Sequence, residues 1–295
     1  MTVKAEIRGN HDVRVVNDIN VSAVAAPKSI ALAKGVNAAG LAVGASEAWA
    51  TTEPKVTASV SGTIFTKNLG ILAQKTQQAN FDNGNATAWA SLGSLIGINA
   101  TISEAVDYSV IKALVVTNSN LNISGLLMFS AINTGKQTAK AQNQVAVGLI
   151  LATGGSIAKA ISDTVTEALF GNTVKVEGNG SIEISAFASD NNTAEASAGG
   201  GGAIAGSSTR SLTDSKGTTT AGLGTTNNIN MFSFVISSTH IATGNTNLNS
   251  LTIGVISGNG VYATNTVDST VLNKIGDGTT VIAKLITMTA NNRTD

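Results

Sequence analysis

Short runs in which apolar and polar residues alternate recur along the whole chain. One set reads INVSA from Ile19, LGILA from Leu69, LNISG from Leu121, IEISA from Ile182, INMFS from Ile229 and ITMTA from Ile286. Strict alternation puts every second side chain on one face, the mark of a half-buried strand. Asn, Asp, Lys or Gly often stands just before these runs, as a turn requires. A second set lies a few residues upstream of each: VKAEIRG ending at Gly9, VTASVSG at Gly62, VIKALVV at Val116, VTEALFG at Gly171, TTTAGLG at Gly224 and TVLNKIG at Gly276. The intervals are 62 − 9 = 53, 116 − 62 = 54, 171 − 116 = 55, 224 − 171 = 53 and 276 − 224 = 52.

Two further blocks complete the unit. Small residues alternate in IALAKG from Ile30, ATAWAS from Ala86, AKAQN from Ala139 and AEASAG from Ala194. A Gly-rich and then apolar block starts at Gly40, Gly93, Gly148, Gly199 and Ile253. Self-similarity at a fixed period signals an array of stacked units. About 53 residues with four strand candidates predict an all-β chain, a parallel β-solenoid forming a single array over residues 1–295. With coils of roughly 20–27 residues each unit makes about two, so that about eleven coils, about 4.8 Å apart, form a rod roughly 50 Å long. One coil cannot bury its inward face, whereas stacked coils pair their backbones and form apolar ladders. The rival is a mixed α/β domain with helices over residues 96–116 and 154–170. The equivalent slots in other units carry Pro, Gly and Thr runs hostile to helix, as in ASEAWATTEPKVTASV.

Composition narrows the function. Charged residues are 12% of the chain, aromatics 4%, and the net charge is +0. No electrostatic footprint for nucleic acid exists. The absence of Cys excludes thiol catalysis, Cys-based zinc sites and Fe–S clusters. The most apolar run, residues 145–152, is too short for a membrane-spanning helix, and the N-terminal residues lack the apolar core of a signal peptide. The chain starts and stops inside a unit, without capping elements, and is expected to be a segment of a longer repetitive protein.

Catalytic constellations are sparse. His11 and His240 are too far apart to meet in a rod, and each is expected at the surface or in a turn. Glu104 with Asp107 and Asp163 with Glu167 are the local acidic pairs, expected as isolated turn or outer-face charges. The glycines at 199–202 lack the Lys-Ser/Thr of a phosphate loop and predict a tight corner. GNG at 178–180 and 258–260 reads as turn. Trp49 and Trp89 are expected to pack against neighbouring coils, the alternative being a sugar-stacking platform. Threonines such as those at 218–220 do not recur as ranked faces. No catalytic, cofactor-binding or metal-ligating residue is nominated, and an enzyme is not expected.

The blocks GLAVGASEAWATTEPKVTASV, SIEISAFASDNNTAEASAGGGG and AGGGGAIAGSSTRSL resemble the repeats of large filamentous adhesins of Gram-negative bacteria, the leukotoxin-type and haemagglutinin-like passengers of type V secretion. The resemblance touches every unit and weakens over residues 251–276. It implies a right-handed β-helix, export to the cell surface, and attachment to host-cell or matrix glycans or proteins. The alternatives are a polysaccharide-degrading β-helix enzyme and a purely structural sheath, S-layer or fibre component.

Overall fold

The computed structural model describes residues 1–9, 11–79 and 81–295, the side chain of Val145 excepted. Strands make up 81% of the described residues, none of which is helical. The two segments open to a helical reading lie in the strands Gly84–Asp107, Val110–Val115 and Leu126–Phe170. No helix among the described residues is long and apolar enough to cross a membrane.

Every strand pairing is parallel. Partners lie between 68 − 18 = 50 residues apart, at Asp18 and Asn68, and 127 − 69 = 58 apart, at Leu69 and Leu127. One layer therefore takes a whole interval, which corrects the expectation of two coils per unit. About six layers at about 4.8 Å span roughly 25–30 Å, half the expected length. Strand length is the reason. Ser29–Thr52 and Gly84–Asp107, 24 residues each, run outward, reverse at a Gly- and Ser-rich middle, and return facing themselves. Ser103 donates to the carbonyl of Ala86 in its own strand at 2.6 Å; two layers on, where the reversal splits the strand in two, Ser211 of Ile204–Leu223 donates to the carbonyl of Ala194 of Ser181–Gly201 at 2.6 Å.

Each layer thus combines a three-walled prism with a thin two-walled fin. One prism wall holds Thr2–Ile7, Lys55–Val60 and Val110–Val115. The second is a separate six-stranded sheet containing Thr63–Thr66 and Asn120–Ile123. The third contains Asp18–Ala25 and Asn68–Lys75. Gly62, with φ of 94°, turns the corner between the first two walls, where a Cβ would lie 2.4 Å from the Gly9 carbonyl oxygen. Ile, Leu and Val fill the prism around Phe129, Phe170 and Phe234. The fin is filled by alanines, among them Ala86, Ala88, Ala141 and Ala160. Small side chains let its walls approach closely, so burial there comes from many thin contacts.

The pairing also corrects two alignments. Leu121 and Ile229 belong to the six-stranded wall, paired with Ile64 and Val281. The true counterparts of Ile19 and Leu69 are Leu127, Ile182, Phe234 and Ile286. The second and third walls carry the same alternation a few residues apart, so periodicity alone cannot separate them. The step from Val60 to Val115 is 115 − 60 = 55, one more than the glycine spacing implied.

Candidate functional site: a buried polar seam and the outer walls

Where prism meets fin, the inward positions turn polar. Asp107, Ser162 and Ser215 stack in register on one wall. Lys75 and Asn133 stack on the facing wall, and His240 occupies the same column two layers on. Lys75 forms an ion pair with Asp107, and both side chains are fully buried. Asp107 also accepts from the Ser109 amide at 3.1 Å, the Ser109 hydroxyl and Gln137 Nε2 at 3.3 Å. These donors supply what a buried carboxylate loses on leaving water.

A second cluster lies further along. His240 Nε2 is 3.1 Å from Asp190 Oδ2, and His240 Nδ1 is 3.1 Å from Thr219 Oγ1. Ser215 Oγ donates to the same Asp190 oxygen at 2.9 Å. A carboxylate only accepts, so Nε2 carries the proton in this bond. The order of hydroxyl, imidazole and carboxylate resembles a hydrolytic triad. Yet Thr219, His240 and Asp190 have no exposed surface, so no substrate carbonyl reaches the hydroxyl. The expectation that His240 sits at the surface or in a turn is corrected: its position in the alternation points inward, and Gly217 makes the room. A Cβ at Gly217 would stand 2.2 Å from His240 Cε1, and one at Gly135 2.8 Å from Asp107 Oδ2. His11 lies exposed in a loop, its ring against Gly9.

The acidic pairs divide by parity. Residues three apart in a strand face opposite sides, so Glu104 points outward to Lys159, 3.4 Å away, while Asp107 points into the seam. Asp107 is therefore a correction to the reading of both as surface charges. Asp163 and Glu167, four apart, share the outer face. Asp163 is exposed, and Glu167 bridges to Lys112 at 2.8 Å. Hydrogen bonding to Asp214, and its charge, hold the exposed Lys216 ammonium above the ordinary lysine range.

Trp49 is 61% exposed, a correction to the expected packing. It lies on the return wall of the fin, level with Glu104. Trp89 lies on the outbound wall between Lys34 and Gln142. The two indoles thus sit on opposite faces and form no common platform. The glycines at 199–202 fall at the outer edge of the fin, as a corner requires. Gly178 and Gly180 flank a bend, but Gly258 and Gly260 lie inside the strand Ile256–Val267, stacked on Gly206 and Ser208, which corrects the turn expected there.

Among the described residues no three His, Asp or Glu side chains gather as a metal site. The buried seam was missed in the sequence because its partners lie far apart along the chain, Lys75 32 residues from Asp107 and Asp190 50 from His240. The signal that could have found it is a large polar residue at an inward position facing a glycine. Comparison with protein-family models, curated proteins and solved structures gives no match.

Proposed function

We propose that the chain is a right-handed β-solenoid array of about 53-residue coils, and that it serves as a rigid stalk with attachment surfaces in a secreted or cell-surface filamentous adhesin. The observation that carries this reading is the in-register parallel pairing of strands roughly one interval apart. Such pairing transmits load along the stack through backbone hydrogen bonds and extends indefinitely by adding coils. The outer walls offer flat ladders of Asn, Gln, Ser and Thr, as in Gln142, Ser197 and Asn249, suited to glycan or protein surfaces. The polar groups capable of chemistry are spent on holding the interior together.

The test is adhesion by beads carrying the purified chain. Saturable retention on host-cell layers, matrix protein or immobilised glycans, lost on exchanging outer-wall residues such as Gln142 and Asn249, supports the reading. Beads that stay unbound at every density, while circular dichroism reports an intact β fold, overturn the adhesive part and leave a structural rod.

A further inference from the structure

Five successive layers reverse at the free edge of the fin, and the edges lie one above another. Leu41, Leu95, Leu149 with Ile150, Ile204 and Val255 stand there, Leu149 75% exposed although layers flank it on both sides. Every reversal is free of charge: residues 35–46, 90–103, 141–158, 196–209 and 241–267 contain no Lys, Arg, Asp or Glu. The inside of the same fin is mostly Ala, Ser, Thr and Gly. Bulky apolar side chains thus face outward and small ones inward, the reverse of a solvated edge.

The edge also has relief. Gly148 pairs with Ser94 and Leu151 with Ile96, so this layer carries one residue more than its neighbour at the reversal. The same excess holds on the other side, where Val147 pairs with Gly201 and Leu151 with Ile204. The extra residue makes Leu149 and Ile150 a projecting bulge. The next layer has only glycine at 199–202. A knob therefore sits beside a notch, one strand spacing away.

We propose that this edge is a self-docking surface through which two copies of the chain pack side by side and antiparallel. The two-fold axis passes between those two layers, and Leu149 and Ile150 of each copy enter the glycine notch of the other. An isologous contact needs a patch complementary to itself, which a knob and notch one layer apart provide. The flanking charges balance, Lys34, Lys140, Lys159 and Arg210 against Glu47, Glu104, Glu195 and Asp268, and favour neither an anionic lipid surface nor a polyanion. The exposed Leu41, Leu95, Leu149, Ile150, Ile204 and Val255 supply the apolar centre that a standard interface, about 800 Å² per partner, requires. The inference stands apart from the adhesive reading and survives its failure.

Sedimentation velocity on the 295-residue chain, from about 1 to about 100 μM, tests it. A reversible monomer–dimer equilibrium is expected. Leu149→Asn with Ile150→Ser should weaken it at least about tenfold with an unchanged circular dichroism spectrum. So should Gly201→Leu, where a Cβ meets nothing closer than the Ala146 carbonyl oxygen at 3.9 Å, so the notch fills without straining the fold. The chain has no Cys, so Leu149→Cys should link to its own copy through a short bis-maleimide, while Asn122→Cys on the prism should not. A monomer at all concentrations overturns the proposal. So does a dimer indifferent to both edge variants, or a monomer that partitions onto phosphatidylcholine vesicles through Leu149, which assigns the edge to lipid.

Discussion

His240 and Asp190, fifty residues apart in sequence, meet inside the stack at 3.1 Å with no surface left to solvent. Each is the other's main compensation for leaving water. His240→Ala should therefore cost about 3–5 kcal/mol, because it strands a buried carboxylate. Urea denaturation followed by circular dichroism measures it.

Gly217 provides an independent check on that geometry. Its missing Cβ is the space that the imidazole fills, so Gly217→Ala should destabilise the wild-type chain by about 1–3 kcal/mol through overpacking. In the His240→Ala background the methyl keeps only Thr164 Oγ1, at 3.2 Å, as a close neighbour, and most of its cost should vanish. A double-mutant cycle that comes out additive would place the ring elsewhere.

Lys75 and Asp107 make the same argument with full charges. Lys75→Met leaves Asp107 with Ser109 and Gln137 as neutral donors only, an expected loss of about 3–5 kcal/mol. Lys75→Met with Asp107→Leu removes both charges and should recover part of that loss, the remainder being the cost of leaving the Ser109 and Gln137 donors without their acceptor. Urea midpoints of the three variants at constant slope decide it.

These four residues also mark where legibility ended. The alternation around Ile71 or Ile184 declares an inward strand face because apolar residues occupy it. Position 75 continues that inward set after Leu69, Ile71 and Ala73, yet it holds Lys, and position 240 continues Phe234 and Ile236 yet holds His. Composition argues for the surface and parity for the interior, and parity decides. The number of coils misled for another reason: a strand that folds back on itself at glycine reads as two strands, and only the pairing partner, 50–58 residues away, shows that one layer contains both halves.

Two stacked threonines separate hydrogen-bond satisfaction from burial. Thr166 and Thr219 are register neighbours and both fully buried. Thr219 Oγ1 meets His240, while Thr166 Oγ1 meets no protein partner. Thr219→Val should cost about 1–3 kcal/mol by orphaning the imidazole nitrogen. Thr166→Val should be neutral or slightly stabilising, because the hydroxyl it deletes was buried without a partner. Thermal melts of the two variants, side by side, test the contrast.

The outer ion pairs should matter little. Lys140 and Glu195 face each other across adjacent strands at 3.0 Å, each about a third exposed. Lys140→Gln is expected to cost at most about 1 kcal/mol, and less as salt rises. A larger loss, unchanged in high salt, would mean that the lysine stem packs on the fin wall rather than serving as a charge.

The fin itself should be the least forgiving part of the molecule toward added volume. Ala88 and Ala141 are adjacent in register, fully buried, and face the alanines of the return wall. A leucine at either position has no void to enter and must push the two walls apart along the ladder. Ala141→Leu should therefore cost at least about 1–3 kcal/mol. Lys140→Leu, one residue earlier and facing out, should leave the melting temperature almost unchanged. The same leucine thus reads wall-to-wall packing at one position and solvent at the next. Equal melting temperatures for the two variants would mean that the walls are not in contact.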